Sequence, residues 1–186
     1  MPRYLALLRG INVGGRNKVA MADLRDLAAG LGHSDVATYI QSGNLLFTSG
    51  EADTGSLADE LEREISGRLG VRPAVVVISG AELGQVIAAN PFPAETNPKY
   101  LHAVFRREVV DAAGLDVVAE AVRRSRAAGS ADDAVVVGRT LYLRTPGGLG
   151  RSDLAARLSR SAVQTAGTAR NWVTVTTLMG MLETAS

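Results

Sequence analysis

Cysteine does not occur in the 186 residues, which excludes a disulfide framework, a thiolate nucleophile and a thiolate metal site, and argues against a small secreted scaffold. The expected compartment is the cytoplasm. Aromatic residues make up only 4% of the chain, leaving few faces on which nucleic-acid bases could stack. Long apolar runs are missing: no stretch approaches the roughly 18 residues of a membrane span. The N-terminal run Tyr4 to Leu8 ends at Arg9, too soon for a signal-peptide core. No membrane partner is therefore expected. Histidine occurs twice, at His33 after the Gly32 helix stop and at His102 within a strand, and each reads as a surface or half-buried side chain rather than a base. With no carboxylate pair or nucleophile elbow beside either, no catalytic triad or metal-ligand spacing can be named. No cofactor is implied.

Charge of one sign is also lacking overall, since the formal net charge is +1, but its distribution is uneven. Residues 1–98 carry 8 basic and 11 acidic side chains, and residues 99–186 carry 12 and 8. The second half is mildly basic, a weak pointer to an anionic partner. At 46% hydrophobic and 21% charged the chain has an ordinary globular composition, enough for one substantial core or two smaller ones.

Tyr4 to Asn12 reads as a buried strand. Met21, Leu24, Leu27, Ala28 and Leu31 follow at helical spacing, stopped by Gly32. Val36 to Gln41 and Asn44 to Thr48 read as a hairpin turning on Ser42-Gly43. Leu57, Leu61, Ile65 and Leu69 mark a second helix, opened by Ser56 with Asp59 three residues on and closed near Gly70, before a strand from Ala74 to Ile78. A short helix over 81–89 has Ser79 and Glu82 as its capping box. Three of the six prolines then fall in 91–98, marking a linker.

Beyond it the order repeats. A strand from Tyr100 to Arg106 precedes a helix bearing Leu115, Val118, Ala119 and Val122. Strands Ala134 to Val137 and Thr140 to Arg144 flank a Gly138-Arg139 turn. Ser152 caps a helix with Leu154, Ala155 and Leu158. An extended piece reaches Arg170, and Asn171 caps a closing helix with Val175, Leu178, Met179 and Leu182. A βαββαβ order with right-handed crossovers folds as a ferredoxin-like unit. The expected architecture is α+β: two tandem ferredoxin-like units with antiparallel sheets, over 1–90 and 99–186, joined by 91–98 and closed by a C-terminal helix.

The same topology places the loop Gly10 to Lys18 beside the hairpin turn Gln41 to Asn44, and the loop Pro146 to Arg151 beside Arg170, Asn171 and Trp172. The first loop has the G-x-x-x-x-G spacing of a phosphate-binding P-loop, but Arg16 and Asn17 stand where that chemistry needs lysine and a hydroxyl. Nucleotide hydrolysis of that type is excluded. What remains is Gly14 and Gly15 amid Arg9, Arg16 and Lys18, with no acidic side chain in the first twenty residues. Such a loop can turn backbone N–H groups toward an anion. A plain turn leading into the helix explains the same glycines. "TPGGLGRS" (145–152), ending in a Ser152-capped helix, is the second candidate.

Four blocks, "YLALLRGINVGGRNKVAMADLRDL", "TYIQSGN", "LYLRTPGGLGRSDL" and "TARNWVTVTTL", resemble the signature blocks of a bacterial family of unknown function, numbered 1697. The resemblance implies two ferredoxin-like units and no established activity. Asp153 and Val173 depart from the family pattern, where lysine and asparagine are usual. Both weaken a site at the second loop, so the first is favoured.

The expected function is a binding module for an anionic ligand, a phosphorylated small molecule ahead of nucleic acid. The candidate ligand-binding residues are Arg9, Asn12, Gly14, Gly15, Arg16, Lys18, Gln41, Asn44, Arg170 and Trp172. One alternative is an enzyme that holds an anionic transition state at the same loop, with its base unassigned. The other is an interaction protein pairing through a sheet edge, with Trp172 at the interface. Oligomeric state is not legible.

Overall fold

In a computed structural model, described over residues 1–184, the chain forms eight strands, seven α-helices and two short 3-10 helices among the described residues. The first half runs β1 (Arg3–Leu8), α1 (Met21–Gly30), β2 (Ser34–Tyr39), β3 (Asn44–Thr48), α2 (Thr54–Leu69), β4 (Val75–Ser79) and α3 (Gly80–Ala88). The second runs β5 (Leu101–Arg106), α4 (Ala112–Ala127), β6 (Asp133–Val137), β7 (Thr140–Arg144), α5 (Asp153–Leu158), α6 (Ala162–Thr165), β8 (Gly167–Asn171) and α7 (Trp172–Thr184). The sheets have the orders β2-β3-β1-β4 and β6-β7-β5-β8, with all neighbours antiparallel. This is the ferredoxin-like plan, present twice.

In the first sheet Tyr4, Ala6 and Leu8 of β1 share a face with Leu45 and Phe47 of β3 and with Val75 and Val77 of β4. Against this face pack Leu24, Leu27 and Ala28 of α1 and Leu57, Leu61 and Ile65 of α2. Leu5, Leu7, Leu46, Val76 and Ile78 on the other face are buried as well, which is why these strands read as unbroken apolar runs rather than alternating ones. In the second sheet Val104, Leu141, Leu143 and Ala134 pack against Val118, Ala121 and Val122 of α4, Leu154 and Leu158 of α5, and Val163 of α6.

Several boundaries depart from the sequence reading. β1 stops at Leu8, because Gly10 and Asn12 adopt φ of 69° and 54°, which end a strand. The hairpin connection is Ile40 to Gly43 rather than two residues, with positive φ at Ile40 (47°) and Gly43 (75°). α2 is capped by Asp53, whose carboxylate accepts from the Gly55 and Ser56 N–H groups. Ser56 donates its own hydroxyl to that carboxylate instead of capping. On α4 Leu115 and Ala119 are exposed: the buried seam runs through Val118, Ala121, Val122 and Ser125, with Val110 ahead of the helix in the core. The Ser79–Glu82 capping box, the Ser152 cap and the Asn171 cap are all present, each closing on a backbone N–H.

By compactness the chain divides into a first unit, Met1–Gly84 with the chain from Leu178 on, and a second, Gln85–Thr177. The division falls inside α3 and α7 rather than in the proline-rich segment. That segment is a run of side-chain-stabilised turns in the second unit: Asn90 accepts from the Phe92 N–H, Glu95 from the Asn97 N–H and Asn97 from the Lys99 N–H. Glu95 also pairs with Arg144 at 3.3 Å.

Candidate functional site

The glycine loop leaves β1 and folds into a miniature hairpin. The Asn12 N–H donates to the Asn17 carbonyl at 3.0 Å and the Arg16 N–H to the Val13 carbonyl at 3.1 Å. Gly14 and Gly15, at φ 59° and 77°, form a two-residue turn of the type that needs positive φ at both central positions. Their N–H groups make no hydrogen bond among the described residues.

Two asparagines lock this hairpin to the body of the unit. The Asn12 amide donates to the carbonyls of Val19 and Gln41 and accepts from the Val19 N–H, all at 2.9 Å. Asn17 donates to the Gly10 carbonyl at 3.0 Å. Ile11 and Val19 are buried beneath the loop. The β2–β3 connection closes against it: the Leu8 N–H donates to the Gly43 carbonyl at 2.8 Å. A Cβ on Gly43 would come within 2.8 Å of Leu8 Cβ and 2.9 Å of Ile11 Cδ1. The loop and the connection therefore meet, as the topology predicts.

What they present to solvent is a cationic rim. Arg9, Arg16 and Lys18 are exposed and make no ion pair or side-chain hydrogen bond among the described residues. Gln41 is exposed beside them, and two aliphatic side chains, Val13 (66% exposed) and Ile40 (52%), stand clear of the core. Ile40 is β-branched and held at positive φ, a conformation that costs such residues about 1–2 kcal/mol.

The other candidates are placed differently. Asn44 is fully buried, and its amide donates to the Tyr39 carbonyl and to Ser42 Oγ, so it shapes the turn rather than facing a ligand. The Asn12 amide is likewise consumed by its three bonds. Arg170 is 8% exposed and donates to Thr168 Oγ1 and the Ala169 carbonyl within the second unit, and burial pulls its guanidinium down to about 10. Trp172 is buried with its ring 6.2 Å from that of Tyr142. Neither is offered to solvent. In 145–152 the N–H groups of Gly148, Arg151 and Ser152 bond carbonyls of the same segment, and a turn of 3-10 helix at Leu149–Arg151 separates the glycines from α5.

Sequence reasoning treats both histidines as surface or half-buried. His33 is in fact only 9% exposed and stacks on Phe47 with ring centres 4.5 Å apart. Burial lowers its pKa against the opposing pull of Glu60, and burial lowers that of His102 too. Nothing near His33 in sequence signals this, because Phe47 reaches it across the sheet. A group that resists protonation in the native state binds protons first when unfolded, so stability rises with pH across that range. The melting temperature is accordingly expected to fall as pH drops from about 7.5 through the ordinary histidine range toward about 5. His33→Phe flattens that slope, and His102→Leu does so independently; a slope unchanged in both variants contradicts the assignment.

Among the described residues no helix is long and apolar enough to cross a membrane, and no group of three potential metal-binding side chains occurs. Comparison with curated proteins finds no match. The fold is similar to that of a solved structure, the conserved bacterial protein SP0830 from Streptococcus pneumoniae, at 25% identity and a TM-score of 0.77, covering 98% of this chain and 99% of that one. A family model described as "Protein of unknown function (DUF1697)" matches residues 1–142. With the resemblance seen in the sequence blocks and the duplicated fold, this match shows that the chain belongs to the DUF1697 family.

Proposed function

We propose that the rim formed by the glycine loop and the β2–β3 connection binds the phosphate group of a small molecule, which makes the protein a binding module for an anionic ligand. The observation that carries this reading is the set of three cations, Arg9, Arg16 and Lys18, left without a carboxylate partner around a turn that internal hydrogen bonds hold in shape. Cations kept apart from acids are the elementary requirement for holding a phosphate, and the open N–H groups of Gly14 and Gly15 add donors at the tip. Val13 and Ile40 offer apolar contact to the carbon part of the ligand. With Asn12 and Asn44 occupied internally, recognition falls to the cations, the glycine N–H groups and Gln41. Nucleic acid ranks second, because a chain with so few aromatics lacks stacking platforms.

An enzyme built on the same rim would need a base. His33 stands at the opposite end of β2 from the Gln41 connection, and His102 belongs to the other unit.

Thermal-shift and calorimetric titrations with inorganic phosphate, mononucleotides and a short oligonucleotide at two salt concentrations test the proposal. The expected result is a saturable mononucleotide signal with modest salt dependence, weakened about tenfold or more in Arg16→Ala/Lys18→Ala, since each charge-assisted contact is worth about 1.5–3 kcal/mol. Steep loss of oligonucleotide binding with salt would instead favour nucleic acid. Hits unchanged in the double variant would remove the loop from consideration.

A further inference from the structure

At the other end of the first sheet lies an open groove of about 580 Å³, walled by the α1–β2 turn (Leu31, His33), the chain after β3 (Ser49, Glu51) and the first turns of α2 (Asp59, Glu60). Its charge is the reverse of the rim's: three carboxylates, Glu51, Asp59 and Glu60, face one guanidinium, Arg63. Several of its polar groups are committed. Ser49 Oγ accepts from the Glu51 N–H, Glu51 from the Asp53 N–H, and Asp59 has a partner of its own.

Two groups are not. The Glu60 carboxylate makes no hydrogen bond among the described residues. His33, with its side chain only 5% exposed, keeps Nε2 buried without a hydrogen-bond partner; Glu60 Oε2 lies 3.8 Å away, beyond hydrogen-bond reach. A buried nitrogen left unsatisfied is costly, which gives a donor entering the groove something to gain. Two acceptors this close, one an anion and one a ring nitrogen, are suited to a cation that carries several N–H groups.

We propose that this groove binds the ammonium group of a primary amine, which donates one N–H to the Glu60 carboxylate and another to His33 Nε2. The acceptor role requires a neutral imidazole with its proton on Nδ1. Burial, which lowers the pKa of this ring against the opposing pull of Glu60, favours the first condition, and the ring is held in place by its stacking on Phe47. Glu60, whose carboxylate is 3.8 Å from the nitrogen, is itself 36% exposed at its side chain, and exposed side chains change rotamer on the nanosecond scale, which opens a way in. Leu31 gives the alkyl stem an apolar wall. The site is independent of the anion-binding rim and of opposite charge preference.

Carbon–proton correlation spectra of the histidine rings in the full-length protein test it, with putrescine, Nα-acetyl-lysine amide and tetramethylammonium as probes at constant ionic strength. Saturable movement of the His33 ring signals with His102 unmoved is expected for the two primary amines; the tighter of them identifies a free amine or a lysine side chain as the source. Tetramethylammonium has the charge but no N–H and should bind at least tenfold more weakly. Glu60→Gln, on a half-exposed helical position that leaves the core intact, should weaken putrescine at least tenfold, while Arg16→Ala/Lys18→Ala should leave it unchanged. Absence of a saturable His33 response, equal binding of tetramethylammonium, or unaltered affinity in Glu60→Gln overturns the proposal.

Discussion

Gly43→Ala should lower unfolding stability by about 3 kcal/mol, because two separate penalties fall on one atom. An L-residue at φ 75° costs about 1–2 kcal/mol relative to glycine. The added methyl would also sit 2.8 Å from Leu8 Cβ and 2.9 Å from Ile11 Cδ1, and overpacking of that kind costs about 1–3 kcal/mol. Neither neighbour can yield easily: Leu8 is in the β1 register and Ile11 anchors the glycine loop in the core. Urea titration of the wild type and the variant measures the difference, with Gly138→Ala as the comparison. Gly138 has φ 58°, but a methyl group there would meet nothing within 4 Å, so it carries the conformational penalty alone. Equal losses in the two variants would show that the close approach at Gly43 has no energetic weight.

Asn12→Ala is expected to cost about 2–4 kcal/mol and to remove the loop's shape, and with it the proposed phosphate binding. The substitution deletes three hydrogen bonds, two of them to Val19 and one to the Gln41 carbonyl, at about 0.5–1.5 kcal/mol each. It also leaves alanine at φ 54°, where asparagine is tolerated and alanine is not. Asn12→Asp is the informative companion: it keeps the acceptor for the Val19 N–H while losing both donated bonds, so it should fall between wild type and Asn12→Ala. If Asn12→Ala melts like the wild type and still binds phosphate, the loop is held by something other than this amide.

The residues that are informative in sequence are those whose roles are settled by near neighbours. Ser79 and Glu82 announce their capping box three residues apart, Ser152 and Asn171 cap the next turn, and Gly32 and Gly70 end helices where the chain must turn left-handed. The duplicated βαββαβ order follows from such local signals and from apolar runs. Where two local signals compete, the sequence misleads: Asp53 displaces Ser56 from the same cap because a carboxylate accepts two N–H groups at once, and Leu115 lies one helical step off the seam that Val118 and Val122 define. Roles set by distant partners are not legible. Asn12 bonds a carbonyl 29 positions away, Asn44 is sealed by the connection it shapes, and His33 is buried by Phe47. Each looks like an available polar side chain until the sheet brings its partner alongside. The three cations of the rim, by contrast, can be read from a sequence that simply keeps acidic residues out of its first twenty positions.

The route of the chain between the two units has a consequence for how the protein is made. Leu182 lies against Gly80, Arg3 Nη1 donates to the Met181 carbonyl, and Met179 lies near Gly84. The ribosome therefore finishes the N-terminal sheet and both of its covering helices, then translates the entire following unit, before it delivers the segment that completes the first. For that interval the nascent N-terminal half is missing a piece of its own packing, and vectorial synthesis leaves it waiting for the segment that begins at Leu178 to emerge.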